Sequence, residues 1–241
     1  RARVAGLVGA PRADGLIFTR GTTESINLVA QGWARRILQT DDEIWVTAME
    51  HHSNYLPWQA ACREAGARLR VIECDAAGEL DLDGAEGLFS DRTRLIALGH
   101  VSNVLGVTNP VRAVVERARE AGIPVLVDGA QAAGHTPVDV AELGCDFYAF
   151  SAHKMYGPSG IGALYVAADR AGELEPLLLG GGMVEEVGDT ESTWLPEPAK
   201  LEAGSPNLAG AAGFAAAVDF VRGRAIAPVS YTHLRAHETV L

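Results

Sequence analysis

Four short polar runs interrupt otherwise apolar sequence: Ala48-Met49-Glu50-His51-His52, Val101-Ser102-Asn103, Asp128-Gly129-Ala130-Gln131 and Ser151-Ala152-His153-Lys154. Together they supply carboxylates, a lysine, histidines, hydroxyls and amides. One such run is weak evidence, because strand ends are often polar. Four of them, each directly behind an apolar run, predict a shared site.

The elements that would position them can be read from the apolar pattern. Predicted strands cover Glu43–Thr47, Arg68–Ile72, Leu95–His100, Pro124–Val127, Phe147–Phe150 and Ala163–Val166. Predicted helices cover Thr23–Leu38, Ser53–Ala65, Val111–Ala121 and Ala209–Arg222. Short apolar strands alternating with helices of this length indicate βαβ units, hence an α/β fold with a mostly parallel central sheet and flanking helices. In such sheets ligands lie beyond the carboxyl ends of the strands. The four polar runs occupy those ends.

The residue types suit pyridoxal phosphate (PLP). That chemistry needs a lysine to bond the cofactor's aldehyde carbon, and an acid to keep the pyridine nitrogen protonated so that the ring accepts electrons. Lys154 and Asp128 fill these roles, and Gln131 could donate to the phenolic oxygen. A plain Asp–Lys surface ion pair is the alternative. Gly21-Thr22-Thr23 precedes a predicted helix, where backbone N–H groups and the helix dipole favour a phosphate; a threonine N-cap is the alternative there. Ser151 and His153 could complete the phosphate grip. His51 could lie against the pyridine ring, with Glu50-His51-His52 as a rival metal site that diverging side chains at a strand end disfavour. Gly157-Pro158-Ser159-Gly160-Ile161-Gly162 lacks the Gly-Lys-Ser/Thr ending of a P-loop and reads as a turn into the next strand. Gly180-Gly181-Gly182 reads as a loop near the site entrance.

Composition narrows the class. With 48% hydrophobic and 21% charged residues, the 241-residue chain has ordinary globular usage. A net charge of −11 argues against nucleic-acid and anionic-membrane partners. No apolar run approaches membrane-span length, and the opening Arg1–Leu7 does not read as a signal peptide. Three cysteines, Cys62, Cys74 and Cys145, form neither a disulfide framework nor a zinc spacing, so a cytoplasmic setting is expected. Cys62 and Cys145 read as buried structural thiols.

The runs TRGTTESINLVA, MEHHSNYLPWQ, HVSNVLGVTNP, VLVDGAQAAGHTPVDV, CDFYAFSAHKMYGPSGIGALYV and LEAGSPN resemble class V aminotransferase-fold enzymes. Within that class they are most similar to group II cysteine desulfurases, also called selenocysteine lyases. The resemblance runs from about Leu7 to Arg224. It implies a PLP-dependent transferase of fold type I, a homodimer that converts L-cysteine to L-alanine while an enzyme cysteine takes the sulfur as a persulfide for a sulfur-acceptor protein. Lys154 and His51 would be the catalytic residues. Thr22, Thr23, Asn103, Asp128, Gln131, Ser151 and His153 would contact the cofactor, and Ser205 would reach the phosphate of the partner subunit.

Two departures accompany the resemblance. None of the three cysteines matches the family's sulfur-accepting cysteine, which lies in a small domain with the arginine that binds the substrate carboxylate. Residues 1–227 are therefore expected to form the PLP-binding large domain, with the small domain largely missing. Residues 228–241 break the preceding helical pattern and read like a translated sequencing adapter, so no function is expected of them. Another class V activity, such as a lyase, epimerase or aminotransferase, or an inert cofactor-binding fragment, are the competing expectations.

Overall fold

The computed structural model describes residues 1–82 and 89–223; the adapter-like 228–241 lies outside them. Nine strands form: β1 (Leu16–Thr19), β2 (Glu43–Thr47), β3 (Arg68–Ile72), β4 (Thr93–Gly99), β5 (Val125–Asp128), β6 (Phe147–Ser151), β7 (Gly162–Val166), β8 (Val184–Val187) and β9 (Ser192–Trp194). The helices are α1 (Ala2–Leu7), α2 (Thr22–Val29), α3 (Arg35–Ile37), α4 (Leu56–Ala65), α5 (Val111–Glu120), α6 (Val140–Leu143) and α7 (Leu208–Arg222). Seven strands make one sheet in the order β1-β7-β6-β5-β4-β2-β3, and β8 and β9 pair separately. The neighbours from β6 through β3 are all parallel, whereas β7 runs antiparallel to both β6 and β1. The mostly parallel α/β architecture read from the sequence is the one observed.

Strand side chains alternate between two cores, as the pleat demands. Trp45, Ile96, Leu98, Val125, Val127, Tyr148 and Phe150 face α1, α5 and α7. Ile44, Val46, Leu95, Ala97, Leu126, Phe147 and Ala149 face α2 and α4. Burial on both faces explains why these strands read as continuous apolar runs. On α5, Val111, Val114, Val115 and Ala118 are buried, an i, i+3, i+4, i+7 stripe. α7 begins at Asn207, whose side-chain oxygen accepts from Gly210 N at 2.8 Å.

Two predicted helices differ from the observed ones. The stretch 23–38 is not one α-helix: a π turn at Ala30–Ala34 separates α2 from α3. Glu175 N donates to Gly32 O at 2.9 Å, and a side chain at Gly32 would collide with the Glu175 carbonyl. An outside donor thus competes for the helix's own acceptor, which is a known cause of such bulges. The stretch 53–65 divides into a 3₁₀ turn, His52–Asn54, and α4, whose first turn carries Pro57. Strand β1 and helix α1 were not anticipated. Among the described residues, no helix is long and apolar enough to cross a membrane.

Candidate active site

A pocket opens where β2, β4, β5 and β6 end and α2 begins. All four predicted polar runs contribute to its wall. Thr22, Thr23, His51, Asn103, Asp128, Gln131, Ser151, His153 and Lys154 all line it. Ser205 does not: it lies exposed in the turn before α7. Gly180-Gly181-Gly182 is also outside the pocket wall; Gly181 O accepts from Gly204 N at 2.7 Å, which ties that loop to the Ser205 turn.

Asp128 closes β5 and is buried. Its Oδ1 accepts from Ala130 N at 2.9 Å. Burial pushes its carboxyl up to about 6, against the Ala130 hydrogen bond and the charge of Lys154. Among the described residues Asp128 forms no ion pair, with Lys154 or any other cation, so the plain Asp–Lys pair is not what the fold builds. Gly129 follows because Tyr148 packs beneath it: a Cβ there would overlap the tyrosine ring at 2.1 Å. Lys154 sits in the 3₁₀ turn Ala152–Met155 directly after β6, exposed toward the same pocket.

The anion-facing end is built at Gly21. This residue caps α2 at φ 152°, a region that favours glycine, and no side chain caps the helix. The threonine N-cap expected as an alternative is therefore absent. Ser151 Oγ accepts from Thr22 N at 2.7 Å and lies 2.7 Å from Thr22 Oγ1. The start of α2 and two hydroxyls converge there, an arrangement that could receive an anion. β7 seals the corner from behind, since any side chain at Gly162 would meet Gly21 Cα at 2.6 Å. The glycine-rich run 157–162 is thus the turn into β7 that the sequence suggested.

His51 lies between these two ends. Its Nδ1 accepts from Ser53 N at 3.1 Å and lies 3.0 Å from Ser53 Oγ. Because the backbone N–H donates, the ring proton is assigned to Nε2. Partial burial lowers the affinity of His51 for a second proton, and the charges of His52 and Lys154 add to this. Ser53 Oγ also lies 2.8 Å from Thr23 Oγ1, linking the histidine to the anion end.

Sequence reasoning missed Ser53 and Asn109 as wall residues, and it placed Glu50 in a polar run of the shared site without a role beyond a disfavoured metal alternative. Glu50 instead spends its oxygens on Thr47, Asn54 and Gly99. The four-residue spacing of Glu50, Asn54 and Trp58 was the available signal. Among the described residues no group of three potential ligands could hold a metal ion. Burial pushes the Cys62 thiol up to about 11 and the Cys145 thiol to about 12, so both stay protonated, as structural thiols do.

Comparison with known proteins agrees with this architecture. The chain is 47% identical over 230 residues to a cysteine desulfurase of Yersinia pestis (strain Pestoides F), covering 95% of this chain and 57% of that protein. It superimposes with TM-score 0.91 and 44% identity on the cysteine desulfurase CsdA of Escherichia coli, covering 94% of this chain and 57% of that one. A more distant structure, a C-DES mutant with glycine covalently linked to its PLP cofactor, matches at 26% identity and TM-score 0.79, over 92% of this chain and 60% of that one. The chain spans a little over half the length of these relatives. The model of the aminotransferase class-V family matches residues 1–240, and by that match and these relatives the chain belongs to the class V aminotransferase family.

Proposed function

We propose that this chain is the cofactor-binding part of a PLP-dependent cysteine desulfurase. The observation that carries the reading is Asp128, a buried carboxyl at a strand end with no side-chain cation among the described residues, sharing one pocket with Lys154. The donor set fits the cofactor at both ends: a cationic ring nitrogen would satisfy Asp128, and the Gly21–Thr23 helix start with Ser151 suits a phosphate. Bound there, PLP would supply an electron sink for breaking bonds at the substrate's Cα.

The chain's own residues take the following roles in this reading. Lys154 would hold the cofactor covalently and take up the Cα proton. Gln131 and Asn103 would address the ring and substrate oxygens, while Thr22, Thr23, Ser151 and His153 would hold the phosphate. His51 would lie at the ring and exchange a proton through Nε2. L-cysteine would become L-alanine as its sulfur passes to a thiol, which becomes a persulfide. Cys62 and Cys145 do not suit that thiol, because burial keeps both protonated, and Cys74 is not part of the pocket wall. The reading therefore assigns the attacking thiol to residues outside this chain.

A homodimer belongs to the same proposal, with Ser205 completing the partner's phosphate site. Exposed Leu179, Leu208 and Val104, each more than 70% accessible, supply apolar surface for it. The same proposal includes a sulfur-acceptor protein as partner, a large-domain identity for 1–227, and a cytoplasmic location, which three free cysteines favour. Borohydride reduction with PLP, followed by mass spectrometry of the digested chain, tests the cofactor assignment. The expected result is a phosphopyridoxyl label on Lys154; a folded chain without label would refute it. Alanine and sulfide release from L-cysteine by the complete gene product tests the substrate.

A further inference from the structure

Glu50 belongs to the pocket wall but has no role in the function proposed above. Its Oε1 accepts from Thr47 Oγ1 at 2.6 Å and Gly99 N at 2.8 Å, and its Oε2 accepts from Asn54 Nδ2 at 2.6 Å. Asn54 in turn accepts at Oδ1 from Trp58 Nε1 at 3.0 Å. An indole N–H can only donate. Trp58 is fully buried, so its N–H dictates which end of the Asn54 amide faces it. The NH₂ end must then face Glu50, which has to accept at both oxygens. A carboxylate does this; a glutamine does not.

The effect runs back to His51. Asn54 N donates to His51 O at 2.7 Å and closes the 3₁₀ turn His52–Asn54. That turn aims Ser53 N at His51 Nδ1, and this bond leaves the ring proton on Nε2. The fixed point beneath the turn is the Asn54 side chain, held between Trp58 and Glu50. Through Gly99 the same carboxylate is anchored to the end of β4.

We propose that Glu50 is a positioning residue: through Asn54 it holds the turn that fixes the tautomer and direction of His51. The catalytic meaning of this rests on the desulfurase reading, whereas the histidine geometry does not. Supporting groups of this kind decide whether a reactive side chain is held within the narrow range its chemistry needs.

The direction of the hydrogen bonds makes the idea testable. Glu50→Gln sets the introduced amide against the Asn54 amide, donor facing donor, and one of them loses its partner. Adding Asn54→Asp restores the order. The carboxylate introduced at position 54 accepts from Trp58 and from the amide at position 50, whose oxygen still accepts from Gly99 and Thr47. The readout is ¹⁵N NMR of histidine-labelled chain without added cofactor, at a pH above 7 where Glu50 is ionised, with the His51 signals assigned by their loss in His51→Gln. The expected result is a single Nε2–H tautomer in the wild type, a mixture of both tautomers in Glu50→Gln, and return to the wild-type signals in the double variant. Wild-type His51 signals in Glu50→Gln would overturn the proposal, even if its thermal midpoint fell. So would a double variant as altered as the single one. If Glu50→Gln does not fold, the double variant decides alone by the same signals. A wild-type chain that takes no PLP label on Lys154 would remove the desulfurase reading and leave the histidine result standing.

Discussion

Two buried aspartates at opposite ends of the same sheet obey opposite rules. Asp42 stands just before β2, fully buried, with Oδ1 2.9 Å from Arg94 and 4.0 Å from Arg92, and with Oδ2 accepting from Gln39 N. Asp128 stands at the carboxyl end of β5, also buried, accepting from Ala130 N and, among the described residues, forming no ion pair. The first is neutralised by its own protein. The second is not, and burial makes its proton hard to remove. A buried acid paired within the fold supports the structure; one left without a cation among the described residues marks where chemistry is done.

The comparison fails most visibly if the open end can dispense with its amine. Lys154→Ala should abolish the borohydride label and lower alanine formation by the complete gene product on the order of 10⁴-fold or more, the scale for losing a covalent group. Residual activity within tenfold of wild type would contradict the assignment. Asp128→Asn comes next, with alanine formation reduced roughly 10²–10³-fold, as when one preorganised electrostatic contact is removed.

Asp42→Ala should behave in the opposite way. It strips a buried ion pair and destabilises the chain by about 3 kcal/mol, seen as a lower urea midpoint, because Arg94 keeps its charge without a partner. PLP labelling of Lys154 in the molecules that remain folded should match wild type. Loss of labelling there would erase the distinction between the two acids.

The smallest effect is a pH dependence. In the cofactor-free chain burial pushes Asp128 up to about 6 and Glu50 up to about 7, so both bind protons more tightly folded than unfolded. Their contribution to stability is complete below about pH 4, the range of the unfolded groups, and is lost as pH rises through 6 and 7. Unfolding free energy should therefore fall across that window, and Asp128→Asn should flatten the acidic half of the decline. A stability that climbs steadily from pH 4 to pH 7 in both proteins would contradict the burial of these carboxyls.

Much of this site was legible because its residues follow apolar runs. β2 and β3 were read from the sequence at their observed bounds, and each polar run behind β2, β4, β5 and β6 reaches one pocket. What stayed hidden depends on partners distant in the chain. β1 is four residues long and gains its place only by pairing with β7, Leu16 opposite Tyr165. The break after α2 arises from a carbonyl contact with Glu175, far from Gly32 in sequence. Glu50 was given no role beyond its place in a polar run and a disfavoured metal alternative, because nothing local announces that Gly99, 49 residues away, donates to it. Periodicity records what a residue does for its own element, not what a remote donor does to it.

The anion corner carries a further consequence for how the molecule comes into being. Thr22 N finds its acceptor on Ser151, 129 residues later, and the wall behind Gly21 is Gly162. A chain emerging from the ribosome therefore makes the helix start early but cannot finish the corner until β7 has been synthesised. Contacts so far apart in sequence form late, because loop closure has to be met before they stabilise anything. On the function proposed above, grip of the cofactor's phosphate is thereby deferred to a nearly finished sheet.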